Sequence, residues 1–156
     1  MAGTSRITSG SIVDADISSI AKISASKRQV YITKTYTQVT GTAIVDQTAI
    51  PVHIVRGASM TILRVDASWY TQASQAGGDD HHVEVNVLVD GTTVLSGSKL
   101  DIITATASLG VIEGTITDAT HVHDQIVTVS VNEAGTQGSA GQGLSVEIRM
   151  VETFPV

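Results

Sequence analysis

Apolar and polar positions alternate with a period of two through most of the chain beyond residue 29, and that period predicts β-strands. The cleanest run is Val83, Val85, Val87 and Val89, with Glu84, Asn86 and Leu88 on the opposite face. Asp90-Gly91 follows at once and leads into Thr92–Leu95. That dipeptide supplies the positive φ angles of a type I′ turn, so a two-residue hairpin is expected there. Val30–Thr37 is a β-rich run, V-Y-I-T-K-T-Y-T. Met60–Tyr70 alternates through Met60, Ile62, Val65, Ala67 and Trp69, with a shift of phase near Leu63 that marks a bulge. Trp69 falls on the core phase and Tyr70 beside it on the exposed one. Ile50–Val55 contains Pro51, which suits an edge strand or a strand start. Ala43–Val45 is a short apolar step, and Leu100–Ala105, Val111–Thr117, Ile126–Val131 and Leu144–Met150 complete the strands, with Thr153–Val156 as a short edge piece. Gln75–Asp80 reads as a loop, and the glycine-rich Gly135–Gly143 as a long flexible one.

About eight or nine strands without an amphipathic helix after residue 30 predict an all-β fold, a sandwich or barrel. Eight strands in two sheets is the size of a jelly roll; a Greek-key sandwich of another topology is the nearest alternative. Residues 1–29 differ in texture, being rich in Ser, Ala, Ile and Asp with no sustained alternation. The expected organisation is an extended N-terminal arm over residues 1–29 and a jelly-roll-like β-sandwich over 30–156.

Composition narrows the function classes. The 156 residues are 42% apolar, enough for a real core, but only 3% aromatic. Val, Ile, Thr, Ala and Gly suit thin β-layers; aromatic-rich ligand pockets and stacking platforms for RNA are poorly served. The absence of Cys excludes disulfides, thiolate metal sites and thiol nucleophiles. The opening M-A-G-T-S-R lacks the apolar core of a signal peptide, and no stretch approaches the ~20 apolar residues of a membrane span. A soluble protein made in a cytoplasm is expected. The net charge of −6 is unevenly spread. Residues 1–34 hold five basic and two acidic residues, a balance of +3, and the remainder holds four basic and thirteen acidic ones, a balance of −9. An acidic body is a poor surface for nucleic acid, whereas a basic arm on it can dock on an acidic partner.

Ser9–Lys27 reads S-G-S-I-V-D-A-D-I-S-S-I-A-K-I-S-A-S-K. Gly10, Ile12, Ala15, Asp16 and Ile17 form G-x-I-x-x-A-D-I, and Ala21, Ile23, Ser26 and Lys27 form A-x-I-x-x-S-K. This resembles a segment frequent in tailed-bacteriophage fibre, spike and head-decoration proteins. Arg28 stands where that family has a hydrophobic residue, so the match ends at Lys27. The body is similar to the small β domains of such proteins in V-x-V-x-V-L-V-D-G-T-T-V-L-S (Val83–Ser96) and G-x-G-L-S-V-E-I (Gly141–Ile148), patterns shared with many trimeric jelly rolls. The resemblance implies a virion structural protein that works as a homotrimer. It also implies an arm whose Ile12, Asp16, Ile17, Ile20, Ile23, Lys27 and Arg28 contact the capsid or another virion protein. Small side chains between isoleucines allow three arms to approach closely about an axis.

The residues that could carry chemistry are few. Four of five histidines come in pairs, His81-His82 and His121-Val122-His123. Alternate strand residues share a face, and imidazole is a good ligand for transition metals. His121 and His123 are similar to the His-x-His element of phage spike tips, in which three chains surround one axial metal ion. A cupin-type enzyme site needs a Glu four or five residues after the second His and a later Pro-x-Gly, and both are missing. Asp79, Asp80 and Asp90 lack the calcium-loop pattern, Gly135–Gly143 lacks the Lys-Ser/Thr of a phosphate loop, and no G-x-S-x-G occurs. The expectation is a non-enzymatic protein of the virion, without a cofactor except a possible axial metal, without nucleic acid or membrane as partner. Its foremost form is a capsid decoration or cement protein. The alternatives are a receptor- or glycan-binding domain of a head or tail fibre, using the loops Gln75–His82 and His121–Asp124, and a small metal-dependent enzyme.

Overall fold

A computed structural model describes residues 28–72, 74–75, 82–103, 108–135, 138–139 and 141–154. Among them the strands are β1 (Gln29–Thr37), β2 (Gln47–Ile54), β3 (Ser59–Thr71), β4 (Ser74–Gln75), β5 (His82–Val89), β6 (Thr92–Thr93), β7 (Leu100–Ile102), β8 (Val111–Glu113), β9 (Thr120–Val122), β10 (Ile126–Ala134), β11 (Gly138–Ser139) and β12 (Gln142–Thr153). No α-helix occurs among the described residues.

The strands form two antiparallel sheets. One runs β1-β12-β3-β8 with β9 also on β3; the other runs β2-β10-β5-β6 with β7 also on β5. A small third pair joins β4 to β11. Leaving out the two-residue strands and β9, which adds to the same side of β3 as β8, the pairing is nested: β1 with β12, β2 with β10, β3 with β8 and β5 with β7. The alternating valines of β5 are all buried, and they meet Val127, Val129 and Val131 of β10 on one side of the core. Met60, Ile62, Val65, Ala67 and Trp69 of β3, with Leu144, Val146, Ile148 and Met150 of β12, supply the other. The all-β sandwich expected from alternation is therefore present.

Local expectations resolve in detail. Asp90 and Gly91 take φ of 48° and 81°, as a type I′ turn demands. The Asp90 carboxylate accepts from Ile126 N at 2.8 Å, fastening the turn to the start of β10. The bulge lies at Leu63, since Arg149 pairs with Arg64 while Met150 pairs with Ile62. Pro51 sits on β2, an edge strand with two register shifts of its own. The opposite sheet edge, β1, is regular, and Lys34 lies on its inward phase opposite Ile148. An inward charge on an edge strand discourages edge-to-edge aggregation.

The short apolar step Ala43–Val45 contributes one isolated bridge, Ala43 to Gln142, with Ile44 buried beneath it. Two expectations are corrected. The Val111–Thr117 run stops pairing as β8 at Glu113, where Gly114 packs so closely that a Cβ would lie 2.7 Å from Leu95 Cδ2. The Gly135–Gly143 segment is not simply a surface loop. Gly138–Ser139 pairs with β4, and Gly141 and Gly143 are buried. A Cβ on Gly141 would lie 2.7 Å from the Trp69 ring, so glycine there permits close packing rather than mobility. Leu100–Ala105 is a strand to Ile102, and its last residues lie outside the described ones, as do Val156 and most of the Gln75–Asp80 loop.

Candidate functional site

The nested pairing brings both ends of the body to one end of the same sheet. Gln29 pairs with Thr153, and Phe154 N donates to Arg28 O at 3.2 Å. Arg28 is half-buried at this junction. The other arm residues, Ile12, Asp16, Ile17, Ile20, Ile23 and Lys27, lie outside the described residues.

Directly beside that junction is a buried carboxylate. Glu152 continues the inward phase of Ile148 and Met150 and is 1% exposed. His53 on β2 meets its Oε1 at 2.5 Å, and the backbone N–H groups of Arg56 and Gly57 donate to it at 3.2 and 2.8 Å. Gly57 has to be glycine for this approach, because a Cβ would lie 2.6 Å from Thr153 O. Burial by itself would raise the Glu152 carboxyl pKa; the hydrogen bonds from His53, Arg56 and Gly57 outweigh it and hold the value below the ordinary one. His53 and Glu152 belong to different sheets, so this pair ties the two layers together beside the Gln29–Thr153 end of the sheet.

The two histidines of the expected metal element have different surroundings. His121 is 4% exposed, pairs with Met60 across the strands, and directs Nε2 at Asp118 O at 3.2 Å. His123 is exposed, with Nδ1 at 3.1 Å from Arg56 O and Nε2 at 3.2 Å from Asp124 Oδ1. Within one chain the structure does not bring the two rings into a shared cluster with a third ligand among the described residues. His123 instead joins the backbone that cradles Glu152.

The grouping of metal-type side chains that does occur among the described residues is His82, Glu84 and Asp101. Glu84 and Asp101 are direct cross-strand partners of β5 and β7. An ammonium already occupies this cluster: Lys99 Nζ bonds Glu84 and lies 3.5 Å from Asp101. Lys99, followed by Asn132 and His82, lowers the Glu84 pKa against the cost of burial. This is an ion-pair network on the outer face of its sheet.

Sequence reasoning missed both the His53–Glu152 pair and the Lys99–Glu84 pair. The first had a legible half, because the alternation Leu144, Val146, Ile148, Met150 continues inward to Glu152. Its partner lies 99 positions away, and no local pattern marks it. No family model matches the chain, and no curated protein matches it.

Proposed function

We propose that the chain is a structural protein of a bacteriophage particle, a capsid decoration protein that binds the shell surface as a homotrimer and stabilises it by adhesion. The observation that carries this proposal is the nested pairing of eight strands, first with last and fourth with fifth. A hairpin with four strands in each arm, rolled upon itself, is the connection of a jelly roll, and that body plan agrees with the family the leader resembles. It also sets Arg28 next to Phe154, so the basic leader departs from one end of an acidic body. Such a body is kept solvated while the leader docks on the major capsid protein or another virion protein. Nucleic acid and membranes are not partners of this surface. The energy of attachment comes from apolar surface removed from water, ~25 cal/mol per Å² before the costs of association.

The test is co-sedimentation with emptied capsids of the phage that encodes the chain. The unaltered protein is expected to saturate the capsids, and the double variant Ile17→Asp, Ile20→Asp is expected to remain in the supernatant. Failure of the unaltered protein to bind at any capsid concentration overturns the proposal. Equal binding by the double variant removes the arm from it.

A further inference from the structure

The outer face of the β1-β12-β3-β8 sheet carries a groove. Because the bulge at Leu63 resets the phase of β3, its outward residues run Arg64, Asp66, Ser68 and Tyr70. Across from them on β12, Glu147 faces Asp66 and Ser145 faces Ser68. Two shallow cavities of about 310 and 410 Å³ share Ser68 and Ser145 and so form one continuous depression. Each is within the ~300–1,000 Å³ range of small-ligand sites.

The two halves of the groove differ in chemistry. One half is polar and already ordered. Arg64 Nε reaches the two Asp66 oxygens at 2.8 and 2.7 Å, its Nη2 lies 3.3 Å from Glu113, and Arg149 Nε bonds Glu147 at 2.6 Å. Arg149 engages Glu147 through Nε, and both residues line the depression. The other half is apolar and exposed: Tyr70 is 53% accessible, Leu109 67% and Val39 73%. They surround Gly143, where a Cβ would lie 2.9 Å from Thr40 Cα and 3.0 Å from Tyr70 Cβ, so the missing side chain keeps the depression open. Trp69 lies beneath it.

A second, independent feature marks the apolar half. Leu109 has φ of 61°, a left-handed conformation that costs a non-glycine residue roughly 1–2 kcal/mol. Its N–H donates to Trp69 O at 2.9 Å, which holds the strained turn against β3. An exposed, strained leucine beside an exposed tyrosine is the kind of backbone outlier that clusters at ligand clamps.

The ligand must suit both halves. An apolar peptide would strip water from the paired charges without replacing their hydrogen bonds, which is costly. An anion would meet three carboxylates against two guanidinium groups. A pyranose has an apolar C–H face and a rim of hydroxyls that both donate and accept. We propose that this groove binds a short neutral oligosaccharide. One ring stacks on Tyr70 beside Leu109, and the hydroxyls of the next bond Ser68, Ser145, Glu147 and Arg149. This site is distinct from the leader and does not depend on attachment to a capsid.

The experiment is titration of the isotopically labelled full-length protein with neutral di- and trisaccharides of glucose, galactose, mannose and N-acetylglucosamine, up to about 10 mM, a range that detects millimolar affinity. At least one sugar is expected to shift the backbone amides of Ser68, Tyr70, Ser145 and Arg149 in a saturable way. Tyr70→Ala is expected to weaken that binding about tenfold or more, as loss of an aromatic anchor does. Tyr31→Ala, an exposed tyrosine of the same sheet outside both cavities, is expected to leave it unchanged. Absence of shifts with every sugar overturns the proposal, as do shifts that map elsewhere. An unchanged affinity in a folded Tyr70→Ala protein overturns it too.

Discussion

Replacing Glu152 by Ala is expected to lower the unfolding free energy by about 3–5 kcal/mol, since three donors lose their shared acceptor at roughly 1–3 kcal/mol each. Natural domains have roughly 5–15 kcal/mol in total, so the variant would stand close to unfolding. The cause is specific. Without the carboxylate, His53 and the N–H groups of Arg56 and Gly57 lose the acceptor they share, in a place where water scarcely reaches. Glu152→Gln keeps the shape and one acceptor and is expected to cost less than Ala. Urea unfolding followed by circular dichroism measures both, and a lower midpoint at unchanged slope identifies a true loss of stability.

The same carboxylate sets the acid limit. Its folded pKa lies below the ordinary value of 4.5. Its contribution is therefore fully present above that value and is lost as pH falls through the lower, folded one. Glu84 is also held below its ordinary value, chiefly by Lys99, and acts in the same direction. Stability is expected to be flat with respect to these two groups at neutral pH and to fall below about pH 4.5. In Glu152→Gln the acid decline is expected to be shallower than in the unaltered protein.

Trp69→Ala is the second large effect, an expected loss of about 3–5 kcal/mol. Trp69 is fully buried, Gly141 packs directly on its ring, and Leu144 faces it across the strands. The glycine backbone cannot move in to fill the space without breaking the β12 register. Trp69 and Glu152 lie at different ends of β3 and β12, so the two losses are expected to add in a double variant. A double variant less damaged than the sum would indicate that the two ends of the sheet relax together.

Legibility in the sequence followed the range of the physics. The β5 strand and its turn were readable because Val83–Val89 and Asp90-Gly91 declare face and turn type within ten residues. The bulge at Leu63 and the edge position of Pro51 were readable for the same reason: a broken phase and a missing N–H act locally. Gly141 and Gly143 misled because glycine marks both mobile loops and close packing, and only the position of Trp69, Thr40 and Tyr70 distinguishes them. His53 with Glu152 was hidden because β2 and β12 belong to different sheets that meet only through the nested topology, and Lys99 with Glu84 because the pair spans 15 positions with no local pattern to mark it. The groove was hidden likewise. Ser68, Tyr70, Leu109 and Ser145 come from three separate stretches, and the outward phase of β3 depends on the bulge. The histidines at 121 and 123 share a strand phase in the sequence, yet one is buried and the other is exposed in the turn that follows β9.

Light scattering from the purified full-length protein, over a wide range of concentration, is the decisive measurement for a trimeric particle protein. A mass of three chains that persists on dilution is the expected result. A mass of one chain at every concentration would contradict a homotrimer in solution, would remove with it any axial metal held jointly by three copies of His121 and His123, and would leave only trimerisation on the shell itself.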